Sequence, residues 1–293
     1  MSSHQEKKTR VMIKLHLQAL SYSHALADGK IDLPGLIDLA PDTGWDGIDL
    51  EERLFESRDV EYTESLRLHV LRRGLNIGYI GIRAGFGSGY HGSDEDHLAH
   101  MQRWVDVCAQ MRVPLLRIIG GDLPKGKTEE QAWPWLAGYM RRIHEYAKSR
   151  RVQVGLHNHN HGMFPATGKQ ILRMLDEIDD PYFVHILDTG QYRGSPGASG
   201  PSRKKGDIDP DYDFYREIET SAPRAQLVRC KAYKIGSGRE EWIDYDRVFP
   251  ILKKVGFRGT MSIVYEGWEF MPDTEALPIA YRFFRDKLRQ HGL

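Results

Sequence analysis

Leu156-His157-Asn158-His159-Asn160-His161-Gly162 sets three histidines and two asparagines directly behind the apolar run Val152–Leu156. Imidazole ligates divalent metals when neutral and transfers protons near neutral pH, so the run suits either chemistry. An apolar strand that ends abruptly in such side chains fits the carboxyl edge of a parallel sheet. Barrels and open α/β sheets keep their chemistry there. If the extended conformation persists, residues 157, 159 and 161 share parity and point the same way. A solvated polar loop is the plain alternative.

The elements that must position this run follow from periodicity. Strands are expected at Val11–Ala19, Gly47–Leu50, Leu75–Ile82, Pro114–Ile119, Val152–Leu156, Val184–Leu187, Gln226–Cys230 and Gly259–Tyr265. Helical spacing fills the gaps at Leu33–Ala40, Glu61–Arg73, Glu129–Ser149, Lys169–Ile178, Tyr212–Thr220, Tyr245–Val255 and Asp273–Arg289. The clearest helix follows Ser93, an N-cap candidate with acidic residues in the next turn. Its Leu98, Met101, Trp104, Val105, Cys108 and Met111 recur at three and four. Eight strand–helix units without a composition break read as one α/β domain, a single (β/α)8 TIM barrel over residues 11–293. Residues 1–10 read as a polar tail. A doubly wound sheet would more often carry a Gly-rich phosphate loop after strand one, and Ser21-Tyr22-Ser23-His24 is unlike one.

Composition narrows the partners. The 293 residues carry 41 basic and 41 acidic side chains, which counts against generic nucleic-acid or membrane-surface binding. Cys108 and Cys230 lack CxxC spacing, so a reduced, cytoplasmic setting is expected. No apolar run is long enough to span a bilayer. Residues 190–210 are rich in Gly, Pro and Ser around Arg203-Lys204-Lys205. Such a loop is either a lid whose basic triplet meets an anionic substrate or a solvated insertion.

The residues at the strand ends define a mouth. They are His24, Glu51, Arg83, Arg117 with Asp122, the histidine run, Asp188, Arg229 with Lys231 and Lys234, and Glu266. Carboxylates and imidazoles converging there could hold Mn, Mg or Zn. They could equally act as acid and base on a polyol.

The chain resembles the xylose-isomerase-like barrels, the broad family of sugar-phosphate isomerases and epimerases. The resemblance rests on Gly44-Trp45-Asp46-Gly47-Ile48-Asp49-Leu50, Gly155-Leu156-His157-Asn158-His159, Leu187-Asp188-Thr189-Gly190-Gln191, and Gly256-Phe257-Arg258-Gly259 leading into Ser262–Glu266. It implies one divalent cation held by a Glu on strand five, an Asp on strand six, a His on strand seven and a Glu on strand eight. Carried over position by position, only the Asp is retained, as Asp188. His157 stands at the strand-five Glu, Arg229 at the strand-seven His and Val264 at the strand-eight Glu.

Two readings of the centre follow. Either the metal has moved outward onto Asp188, His157, His159 and Glu266, or Arg229 and Lys231 replace it. In the second case a histidine shuttles the proton and a fixed cation stabilises the oxyanion. Either way the resemblance implies isomerisation, epimerisation or elimination by proton removal next to the carbonyl of a sugar, sugar acid or polyol. His157, His159, Asp188, Glu266, Arg229 and Lys231 are the catalytic candidates. His24, Glu51, Arg83, Arg117 and Trp268 are the substrate-binding ones, and Trp45, Tyr22 and Phe86 are further ring-packing candidates. Family barrels often pair through helices or mouth loops, which implies a homodimer. A non-catalytic ligand-binding barrel is the third reading. The family's nuclease branch needs clustered metals and a basic surface, and neither is legible.

Overall fold

The computed structural model describes residues 13–197 and 205–293; the expected tail, the start of the first expected strand and residues 198–204 lie outside the described residues. Eight parallel strands close into a barrel in the order β1-β8-β7-β6-β5-β4-β3-β2. They are β1 (Leu15–Gln18), β2 (Gly47–Glu51), β3 (Ile77–Gly81), β4 (Leu115–Ile119), β5 (Gln153–His157), β6 (Phe183–Asp188), β7 (Ala225–Ala232) and β8 (Thr260–Tyr265). The helices outside them are α1 (Ser23–Ala27), α2 (Leu33–Thr43), α3 (Val60–Arg72), α4 (Asp94–Met111), α5 (Glu129–Ser149), α6 (Gly168–Ile178), α7 (Tyr215–Ser221), α8 (Tyr245–Lys254) and α9 (Asp273–His291). The expected (β/α)8 architecture is therefore the observed one.

Local chemistry sets the helix ends. Ser93 caps α4 as expected: its hydroxyl accepts from the Asp96 N–H while the Asp96 carboxylate accepts from the Ser93 N–H. The α2 helix stops at Gly44, whose φ of 98° a residue with a Cβ rarely adopts. That turn redirects the chain into β2. Among the described residues no helix is long and apolar enough to cross a membrane. Cys108 and Cys230 are buried free thiols.

The strands bury both faces against different surroundings. The outer faces meet the helices in one large apolar core, which contains Trp45, Tyr22 and Phe86. These three are packing residues, contrary to the expectation that they reach a sugar ring; Trp45, for instance, lies edge-on to Tyr281 at 5.0 Å. Inside the barrel, Tyr79, Leu115, Val184, Ile186 and Leu227 form a separate apolar plug. The rest of the lumen is polar: His16, Gln18, Asp49, Glu51, Arg117, His157, Asp188, Arg229, Lys231 and Ser262 are all buried. Charges without water must pair. How they pair determines what the mouth can do.

Candidate active site at the barrel mouth

Strand register brings the charged residues together. Glu51 on β2 pairs with Gly81 on β3, and Gly81 with Arg117 on β4. A Cβ at Gly81 would lie 2.5 Å from Glu51 Oε1 and 2.6 Å from Arg117 Nη2, so the bare glycine leaves room for the two side chains to meet across it. They do: Arg117 Nη2 donates to Glu51 Oε2 at 2.6 Å, and Gln18 Nε2 donates to Glu51 Oε1 at 2.7 Å.

The chain of contacts continues through the first histidine. Arg117 Nη1 lies 3.3 Å from His157 Nδ1. A guanidinium can only donate, so Nδ1 accepts and the imidazole proton sits on Nε2. Nε2 is 3.0 Å from Asp188 Oδ2, although not aligned for a hydrogen bond. Burial drives the His157 pKa well below the usual histidine value despite this carboxylate, which keeps the ring neutral. Asp188 and Arg229 are register partners on β6 and β7, and Arg229 Nε donates to Asp188 Oδ2 at 3.0 Å. Arg229 Nη1 donates to the Tyr79 hydroxyl and lies 3.8 Å from Glu51 Oε1, which closes the ring of residues.

Lys231 extends the ring toward the opening. The sequence pattern ended the seventh strand at Cys230, but β7 runs on to Ala232, so Lys231 is a strand residue in register with Val264. Its Nζ is 3.8 Å from Asp188 Oδ2 and 2.5 Å from Glu266 Oε1. Burial alone would raise the Asp188 carboxyl. Lys231, His157 and Arg229 outweigh it and hold the group well below the usual carboxylate range. Lys231 itself is 2 % exposed in its side chain and Glu266 28 %, so the pair runs from the dry interior to solvent.

The histidine run departs from strand parity. Regular extension ends at His157, and His161 takes a φ of 56°. The rings nevertheless form an edge-to-face ladder, with centroids 5.4 Å apart from His157 to His159 and 4.9 Å from His159 to His161. The ladder climbs from the buried His157 through the half-buried His159 to the exposed His161. Burial, His161 and Lys231 together push the His159 pKa down to about 3, so it is a neutral imidazole at neutral pH. The asparagines between them hold structure. Asn158 donates to the Asp188 carbonyl at 3.0 Å and accepts from the Asp188 N–H at 2.8 Å, a side-chain extension of the sheet ladder. Asn160 Nδ2 donates to the Tyr192 carbonyl at 3.0 Å and ties down the start of the loop after β6.

Other expected residues are distributed around the rim. His24 stacks on Trp268 at 5.1 Å, an aromatic pair beside the β8 exit. Arg83 turns away from the mouth and lies over the Tyr90 ring at 4.7 Å. Lys234 is paired with Glu241 at 2.6 Å, and Asp122 belongs to a short antiparallel strand pair with Met163. Arg203 and Lys204 lie outside the described residues; Lys205 is engaged by Glu269 at 3.0 Å and by the Glu266 carbonyl. Gln18 and Tyr79 were not singled out from the sequence. Both lie on inward strand positions, a signal of parity that their residue types obscured.

The geometry can be tested against a divalent cation. Three cations, Arg117, Arg229 and Lys231, face three carboxylates, Glu51, Asp188 and Glu266. The charges balance without a metal, and Asp188 already touches a guanidinium, an ammonium and an imidazole. Among the described residues, the group of three or more His, Cys, Asp or Glu whose ligand atoms lie within 4.8 Å of one another is Glu52, His91 and His100. The expected outward set of Asp188, His157, His159 and Glu266 is not gathered to that distance, because Lys231 takes Glu266 and Arg229 takes Asp188. The mouth does not fit a resident divalent cation.

Residues 37–287 match the family described as Xylose isomerase-like TIM barrel. The chain belongs to that family. No curated protein matches it in sequence. Solved xylose-isomerase-like barrels superpose closely at low identity. D-psicose 3-epimerase with D-tagatose from Clostridium cellulolyticum H10 is 13% identical with a TM-score of 0.71, covering 95% of this chain and 98% of that one. The IOLI protein with a binding zinc atom is 13% identical with a TM-score of 0.71, covering 95% and 99%. The 3-keto-D-glucoside 4-epimerase YcjR from E. coli is 14% identical with a TM-score of 0.67, covering 93% and 99%. At such identities the likeness establishes the xylose-isomerase-like fold, and the reaction must be argued from the mouth.

Proposed function

We propose that this protein is an isomerase or epimerase of a sugar, sugar acid or related polyol, and that it works without a metal in its mouth. The observation that carries the reading is Lys231. Its ammonium is buried, lies between Asp188 and Glu266, and occupies the end of the barrel where substrate enters. A fixed cation in a dry site stabilises an enolate oxygen strongly, because no solvent must reorganise. The sugar epimerases among the structural neighbours support the same substrate class.

The roles follow from exposure and charge. Glu266, the most open carboxylate of the ring, takes the proton from the carbon next to the carbonyl. The electron pair moves onto the carbonyl oxygen, which faces the Lys231 ammonium. For isomerisation Glu266 then returns the proton to the former carbonyl carbon while the hydroxyl proton on the first carbon passes to the former carbonyl oxygen. For epimerisation a proton from water reaches the opposite face of the first carbon and Glu266, open to solvent, releases its own. His159, neutral at neutral pH, binds a substrate hydroxyl, and the Trp268–His24 stack flanks the ring. Glu51, Arg117, His157 and Arg229 hold Asp188 and, through it, Lys231.

The test is exchange of substrate carbon-bound hydrogen in D2O across a panel of ketoses, aldoses and sugar acids, with chelator-treated protein. The reading expects exchange that survives chelation and is lost in Glu266→Gln and Lys231→Met. Exchange that requires added metal, or that persists in both variants, would overturn it.

A further inference from the structure

Glu51 is the last residue of β2 and Glu52 opens a short 3-10 turn directly after it, so the two carboxylates go to different surroundings. Glu51 enters the barrel ring. Glu52 leaves it and meets the segment after β3 and the first turns of α4. There Glu52 Oε1 accepts from the Arg83 N–H at 2.6 Å and lies 3.7 Å from His91 Nε2, while Oε2 contacts His100 Nε2. The His91 and His100 rings stack at 3.8 Å. All three ligand atoms fall within 4.8 Å of one another.

A second observation points the same way. His97, one helical turn before His100 on α4, stacks on the other face of His91 at 5.0 Å. It is 3 % exposed, yet neither of its ring nitrogens has a hydrogen-bond partner. A buried polar group without a partner is destabilising and asks for a physical reason, of which a nearby ion is one.

The cluster opens onto a cleft of about 320 Å³ at the outer rim, lined by Arg53, Arg58, Arg83, Arg103 and Tyr90. We propose that Glu52, His91 and His100 bind a divalent transition metal of the zinc type, and that its open coordination position faces this arginine-lined cleft and takes an oxyanion. Two imidazoles and one carboxylate with a free position are the ligand set of open zinc sites and suit neighbouring transition metals. The arginines supply the charge and the planar donors that carboxylate or phosphate oxygens require. The site is separate from the mouth: its carboxylate belongs to the turn after β2, and no member belongs to the Asp188 ring. It does not rest on the isomerase reading.

The test is zinc titration of chelator-treated, dialysed full-length protein by calorimetry, with metal content measured after gel filtration. Wild type should take one equivalent, and cobalt in its place should give visible absorption that inorganic phosphate perturbs. His91→Ala and His100→Ala should each weaken zinc binding at least tenfold, whereas His159→Ala in the mouth ladder should leave it unchanged. Glu52→Gln, which keeps an acceptor for the Arg83 N–H, guards against misfolding and should also weaken binding. Absence of saturable binding to wild type would overturn the site, as would loss in His159→Ala with retention in His91→Ala and His100→Ala. A cobalt spectrum indifferent to phosphate, or perturbed equally in Arg58→Ala and Arg103→Ala, would overturn the oxyanion cleft.

Discussion

Arg229 Nε and Asp188 Oδ2 lie 3.0 Å apart as register partners on adjacent strands, deep in the barrel. The arginine engages the carboxylate directly. Its guanidinium also lies 3.8 Å from Glu51, so one side chain neutralises two acids. The charges of the mouth thereby form a self-compensated ionic ring.

Removing the shared carboxylate should therefore be severe. Asp188→Asn leaves Arg229 and Lys231 facing a neutral amide without water. Breaking a buried pair from one side costs roughly 3–5 kcal/mol. Urea unfolding should report a loss in that range with an unchanged slope. A loss below about 1 kcal/mol would mean that water reaches the ring and that it is not the dry electrostatic unit described above.

Gly81 offers an independent probe. An added methyl would meet Glu51 Oε1 at 2.5 Å and Arg117 Nη2 at 2.6 Å, pushing apart a pair with few alternatives. Gly81→Ala is expected to destabilise by about 1–3 kcal/mol, as overpacking of filled interiors does. Circular-dichroism melting of the variant beside wild type checks this. An unchanged midpoint would show that the ring can expand at no cost.

Acid should weaken the fold earlier than carboxylate protonation alone predicts. His157 and His159 have folded-state pKa values below the unfolded value of about 6.5, with His159 at about 3. The unfolded chain then binds more protons between those limits. Their contribution is complete above about pH 6.5 and is lost as pH falls toward the folded values, with a slope of about 1.4 kcal/mol per pH unit for each proton. Asp188 adds a loss of its own below about pH 4, where the unfolded carboxyl protonates and the folded one does not. Urea midpoints should stay level from pH 8 to about pH 7 and fall from about pH 6.5 toward pH 4, and His159→Gln should make that fall shallower. A flat profile from pH 7 to pH 5 would contradict the buried neutral ladder.

The barrel was legible because its strands and helices differ in apolar period, and Ser93 announced the start of α4. The four positions at which the resemblance expects ligands were legible too, one kept as Asp188 and three altered as His157, Arg229 and Val264, since they sit at countable offsets in recognisable segments. The pairing of the charges was not. It depends on Gly81 making room, on Lys231 belonging to a strand two residues longer than its apolar run, and on the parity break after His157. The asparagines looked like part of a reactive run, but Asn158 continues the sheet where the strand has stopped and Asn160 fastens the loop after β6. His91, His97 and His100 sat within ten residues of one another. The carboxylate that joins them, Glu52, comes from the turn after β2, some forty residues earlier.

The Lys231 ammonium carries the most direct consequence for activity. If it stabilises the enolate oxygen, Lys231→Met should lower kcat by roughly 10²–10³, the range for losing one preorganised electrostatic partner, while KM changes little. Lys231→Arg keeps the charge but spreads it over a planar fork that cannot occupy the same point between Asp188 and Glu266, so it should recover only part of the rate. A purely structural lysine would behave differently. Its loss would lower the melting midpoint and the active fraction while leaving kcat per folded molecule intact. Measuring kcat on the folded fraction of both variants, with the substrate identified by deuterium exchange, separates the two cases. Full kcat in Lys231→Met would remove the ammonium from the reaction.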